Sequence, residues 1–94
     1  MNLKDLHTEN KAVQTNALFT PSEKVISMQI AAGEQLKEHI TKIPALLVCI
    51  SGSATFGDEN EQKISLQSGD YVNIQPNVKH WIDATEMSNF LLIK

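Results

Sequence analysis

The chain has one cysteine, three prolines and one tryptophan in 94 residues, and each shortage excludes something. A lone Cys49 cannot close an internal disulfide, so the fold must be held by its apolar core rather than by covalent staples. No stretch of Lys and Arg is clustered enough to neutralise a phosphate backbone, which argues against nucleic acid or an anionic membrane as partner. The formal net charge is -3 and the charges are scattered singly. The longest apolar run, Ile43 to Ile50, is far too short to span a bilayer. Lys4 and Asp5 interrupt the region where a signal peptide would need continuous apolar residues. A cytoplasmic protein is the expectation.

What is present is a hydrophobic content of 41%, ordinary for a chain with a packed core. Repeats, linkers and low-complexity tracts are missing, so residues 1–94 are read as one domain, with 1–11 as an N-terminal arm. Beyond that arm helical periodicity is missing too. Short β-prone runs follow one another between turn residues. Ala12–Phe19 is expected as the first strand. In Lys24–Ile30, Val25, Ser27 and Gln29 alternate with Ile26, Met28 and Ile30, as a strand with one buried face requires. Gln35–Thr41 and the doubly apolar Ala45–Ser51 follow. Further strands are expected around "SATFG", "QKISLQ", "YVNIQ", "KHWIDA" and "NFLLIK". Eight or nine short strands at this spacing predict an all-β sandwich or barrel.

Two stretches carry more specific information. In the first, Gly33 is followed by five residues and His39, and Ala45 by six residues and Gly52. In the second, "GDYVNIQPNVKH", Gly69 and His80 bracket a turn built on Pro76 and Asn77. These spacings resemble the two motifs of the cupins, and the resemblance runs from Ala12 to Lys94. It implies a double-stranded β-helix, or jelly-roll, barrel with His39 and His80 in one barrel mouth. The sequence departs from the metal-binding members of that family. Thr41 stands where they have their second histidine, Ala45 where they have glutamate, and Ala84 where they have the closing asparagine. Asn77 replaces a glycine, a tolerable exchange because Asn enters left-handed backbone more readily than most residues.

The site expected from these residues is a small-molecule pocket lined by His39, Thr41, His80, Tyr71, Asn73 and Lys37. His39 and His80 are the metal ligands the resemblance implies. Two imidazoles fall short of the three or four protein ligands that zinc takes and of the two histidines and carboxylate of non-haem iron. At most a weakly held divalent transition metal is expected. Strand alternation makes Lys37 and Thr41 the same-face neighbours of His39 and turns Glu38 and Asp83 away. By parity Trp81 faces away from His80, as core between the sheets or as an interface anchor, with core the favoured expectation, and Cys49 faces the interior as a small hydrophobe.

Two functions follow. The first is a non-catalytic barrel binding a small molecule. The second is a metal-dependent enzyme of isomerase or dioxygenase type using His39 and His80. A homodimer is expected, because a barrel this small has exposed strand edges and a short chain gains stability by burying surface against a copy of itself.

Overall fold

The computed structural model describes all 94 residues. Asn2 caps a single turn of 3-10 helix at Leu3–Leu6 by accepting a hydrogen bond from the Lys4 backbone N–H. Eight strands follow: β1 (Val25–Ile30), β2 (Gln35–His39), β3 (Ala45–Ser51), β4 (Ser53–Asp58), β5 (Lys63–Gln67), β6 (Tyr71–Ile74), β7 (His80–Ala84) and β8 (Ser88–Ile93). They form two four-stranded antiparallel sheets in the orders β1-β8-β3-β6 and β2-β7-β4-β5. The chain passes repeatedly from one sheet to the other, which is jelly-roll connectivity. No helix is long and apolar enough to cross a membrane.

The core between the sheets is built from alternate residues of each strand. Leu47 and Cys49 of β3, Phe56 of β4, Leu66 of β5, Val72 and Ile74 of β6, Ile82 of β7 and Phe90 and Leu92 of β8 are all buried there. Strand β3 is buried over five consecutive residues. Its other face, Leu46 and Val48, joins Tyr71 in a second cluster on the outside of the first sheet.

That outer cluster corrects one expectation. Ala12–Phe19 is not a strand. Instead Leu18 and Phe19, with Leu3 and Leu6, fold over Leu46, Val48 and Tyr71. The apolar residues of this segment are there to cover a sheet face, a task that needs no ladder of backbone hydrogen bonds.

The N-terminus is fastened at the free side of β6. The Leu3 N–H donates to the Gly69 carbonyl at 2.8 Å and the Tyr71 N–H to the Met1 carbonyl at 3.0 Å. The Asn2 side chain donates to the Asp70 carboxylate at 2.9 Å. Partial burial works to raise the pKa of Asp70. The hydrogen bonds from Asn2 and from the Gln67 N–H, with the positive N-terminus and Lys4, outweigh it and hold the carboxyl below its ordinary range.

Gly52 makes the crossing from β3 in one sheet to β4 in the other with φ +101°. A Cβ there would fall 2.5 Å from the Met87 carbonyl oxygen and 2.6 Å from Ser88 Cα. Asn77 has φ 63°, the left-handed conformation expected of it in the turn before β7.

Trp81 is the second correction. It is half-buried on the outer face of its sheet rather than in the core. Its indole lies against Gly57, where an added Cβ would come within 2.4 Å of the indole nitrogen. Cys49 is buried and unpaired, as expected. Burial, and secondarily the Asp70 charge, pushes its thiol pKa up, so it donates weakly to the Ser51 carbonyl and is no thiolate at neutral pH.

Candidate functional site

Strands β2 and β7 pair in register as Gln35↔Asp83 and Leu36↔Ile82, and then the register shifts so that His39 stands opposite His80. Leu36 and His39 are three residues apart, so strict alternation would send them to opposite faces. The irregularity at Lys37 and Glu38 supplies the extra residue, and both side chains turn inward. The expectation that Lys37 lies on the face of His39 therefore fails, and Lys37 is exposed.

The two rings meet edge to face, with centroids 4.3 Å apart and planes inclined at 60°. His80 is only 2% exposed. On its other side the ring stacks on Phe56, centroids 5.7 Å apart and planes at 21°. His39 is half-buried and forms the outer lid of this stack.

Hydrogen bonding sets the tautomers. His39 Nδ1 lies 3.1 Å from the Lys37 carbonyl and His80 Nδ1 lies 3.2 Å from the Val78 carbonyl. A carbonyl only accepts, so each Nδ1 carries the proton and each neutral ring keeps a lone pair on Nε2. No buried side-chain nitrogen or oxygen lacks a partner. Since neither Nε2 has a protein partner, both reach solvent. Burial of His80 lowers its pKa below the ordinary 6.5, assisted by His39. The Val78 hydrogen bond and the Asp58 charge oppose this without reversing it.

Asp58 stands opposite His80 in the β4–β7 pairing and is buried. Both its oxygens are occupied. Oδ1 accepts from the Asn60 and Gln62 N–H groups and Oδ2 from the Gln62 side chain at 2.9 Å. It is committed to closing the β4–β5 turn.

Of the expected site residues, the structure brings together His39 and His80. Thr41 is buried just beyond β2, but its hydroxyl donates to the Ile43 carbonyl and its own carbonyl accepts from Asn77. It bonds neither imidazole and instead ties the strand end to the turn that carries His80. Tyr71 and Asn73 depart from expectation. Val72 and Ile74 take the inner face of β6, so Tyr71 and Asn73 point outward on the opposite sheet. Sequence spacing singles out neither Phe56 nor Asp58. Their alternation with Ala54 in β4 was the available signal, but it needed the β4–β7 register to mean anything. The one cavity of appreciable size, about 420 Å³, lies among arm residues including Leu6, Val13 and Asn16, away from the histidines.

The donor set also bears on a metal. No group of three or more His, Cys, Asp or Glu side chains is placed to hold one. Two Nε2 atoms with Asp58 already committed do not make up the shell that zinc or non-haem iron requires.

No protein-family model matches this chain, and no characterised protein matches it in sequence. Solved structures do match. A cupin superfamily protein from Desulfitobacterium hafniense superposes with a TM-score of 0.67 at 21% identity, over 82% of each chain. The fold is that of a small cupin-type domain. An RmlC-like cupin with a double-stranded β-helix from Methanocaldococcus jannaschii gives a TM-score of 0.68 at 24% identity, over 74% of this chain and 66% of that one. A predicted oxalate decarboxylase from Thermotoga maritima gives 0.65 at 18% identity, over 73% and 62%. The cupin architecture and its jelly-roll topology are thus the ones the motif spacing implied, and at these identities the likeness concerns the fold.

Proposed function

We propose that this cupin-fold domain is a non-catalytic binding module. Its recognition element is the pair of Nε2 lone pairs that His39 and His80 present at the end of the sandwich. The observation that carries this reading is the Nδ1–carbonyl bonding of both rings. It favours Nε2 as the acceptor of each ring, and the lowered pKa of His80 supports a neutral ring at physiological pH. The ligand class that fits is a small molecule with two neighbouring donor groups, such as a vicinal diol, an amide or an ammonium group. Phe56 beneath His80 keeps the ring from tilting away.

A nucleophile with a base beside it would favour catalysis, and no such pair accompanies the histidines. The predicted oxalate decarboxylase among the similar structures motivates the second reading, a metal-dependent enzyme. The two-imidazole donor set weighs against it, and divalent metal binding is proposed to be weak.

Thermal-shift screening with a panel of small polyols, amides and amines tests the proposal. A compound that raises the melting temperature of the wild type but not of His39→Ala supports it. A stoichiometric transition metal in protein purified without chelator, lost on replacing either histidine, would transfer the site to the enzyme reading.

A further inference from the structure

Several strand ends meet where the histidines stand. Strand β2 ends at His39, and residues 40–44 lead from it to Ala45 at the start of β3. Strand β6 ends at Ile74, and residues 75–79 lead to His80 at the start of β7. In the β3–β8 pairing Leu46 lies opposite Ile93, so the end of β8 runs beside the start of β3. Lys94, the next residue, therefore stands at the end of the sandwich that holds both histidines.

The Lys94 backbone is fixed there. Its N–H donates to the Lys24 carbonyl at 2.8 Å, and its own carbonyl accepts from the N–H groups of Ser22, Glu23 and Lys24 at 3.0, 2.8 and 3.1 Å. The exchange of both bonds with Lys24 carries the β1–β8 ladder one residue further. Alternation then decides the face of the side chain. Phe90 and Leu92 lie in the core between the sheets and Ile93 packs on the outer cluster, so Lys94 turns to the inner face, half-buried. Its cross-strand neighbour is the buried Ala45, whose methyl group offers an ammonium no partner. No carboxylate lies within ion-pair distance either. Glu38 pairs with Lys79 and Glu9 with Lys11, and Asp58 spends its oxygens on Asn60 and Gln62. The Lys94 charge nevertheless reaches the site. Burial chiefly lowers the pKa of His80, and the charges of His39 and Lys94 add to the effect.

We propose that Lys94 is the anion-recognising residue of the histidine site and that the ligand is a small hydroxycarboxylate. With His39 and His80 as acceptors, the reading on which this assignment rests, a ligand hydroxyl donates to an imidazole Nε2. The ligand carboxylate then takes a charge-assisted hydrogen bond from the Lys94 ammonium. A simple amine is disfavoured by like charge, and a neutral diol leaves the ammonium unanswered. The class of ligand is thereby narrowed from any neighbouring pair of donors to one that also carries a negative charge.

Glycerate and glycerol share a vicinal diol and differ in the carboxylate, so titrating each against the imidazole ¹H–¹⁵N spectrum separates the two readings. Glycerate should bind the wild type about tenfold more tightly than glycerol. Lys94→Gln should bind the two alike, and Lys94→Arg should keep the preference. A second measurement needs no ligand. In Lys94→Gln the titration midpoint of His80 should rise, because a repelling charge has gone. Glycerate no tighter than glycerol, with both shifting the His39 and His80 resonances, overturns the role of Lys94 and leaves the acceptor reading standing. A preference that survives in Lys94→Gln, or a His80 midpoint that does not move, overturns it as well. Imidazole resonances unmoved by either compound overturn both readings together.

Discussion

His39 and His80 hold their rings 4.3 Å apart, edge to face, and each donates its Nδ1 proton to the carbonyl two residues before it. The same local device is used at the end of β2 and at the start of β7, and it leaves the Nε2 of each neutral ring with its lone pair. On the proposed reading, this pair of acceptors is what a small-molecule donor would meet.

The depressed pKa of His80 makes stability depend on pH in a definite direction. Unfolded, the imidazole titrates near 6.5. Folded, it takes up its proton only at lower pH, so in that window the unfolded state binds more protons. The contribution is fully present above the unfolded pKa and is lost as pH falls from 6.5 toward the folded value. Melting temperature should therefore decline below pH 6.5 in the wild type and decline less in His80→Gln, as followed by circular dichroism.

Gly52 and Gly69 are backbone requirements, at φ +101° and +88°. Their neighbours differ. A Cβ at Gly52 meets backbone atoms of Met87 and Ser88 at 2.5–2.6 Å, and one at Gly69 meets only the Asn2 side chain, at 3.0–3.4 Å. Gly52→Ala should cost about 2–4 kcal/mol and Gly69→Ala about 1 kcal/mol. Urea denaturation gives both values, and equal losses would show that the clash at Gly52 is relieved.

Much of this was legible in the sequence, and the failures share a cause. The alternation of Val25, Ser27 and Gln29 with Ile26, Met28 and Ile30 could be read because the two faces of β1 differ in polarity. Asn77 could be read because its turn demands a left-handed residue. Tyr71 could not be placed, because period two separates the faces of β6 without saying which one Val72 and Ile74 take inward. Lys37 was misplaced because the irregularity beside it exists only through the pairing of β2 with β7. Ala12–Phe19 looked like a strand because apolar residues that cover a sheet and those that build one are alike in composition. The pairing of His39 with His80 was implied by the resemblance to the cupins, and Phe56 beneath it came only from the structure.

Trp81 is the sole tryptophan, so its seat over Gly57 can be read by fluorescence. Gly57→Ala places a methyl group on the indole and should push the ring off the sheet into water. The emission maximum should shift to the red, with a stability loss of about 1–3 kcal/mol typical of overpacking. An unshifted spectrum would mean that the indole is held by other contacts.

Metal binding offers a check of the donor set. Calorimetry with Zn²⁺ or Ni²⁺ should show no tight, one-to-one binding to the wild type. Introducing Thr41→His and Ala45→Glu, at the positions where metal-binding cupins carry ligands, should tighten binding markedly, though a carboxylate at the buried Ala45 will lower stability. Tight wild-type binding would require a ligand beyond the two imidazoles.

The central claim is that both histidines offer Nε2 as an acceptor, and long-range ¹H–¹⁵N spectroscopy of the imidazole rings at mildly alkaline pH tests it most directly. His39 and His80 should both give the pattern of a proton on Nδ1 with an unprotonated Nε2. A proton on Nε2 of either ring would place a donor where the proposed ligand must donate, and would contradict the account.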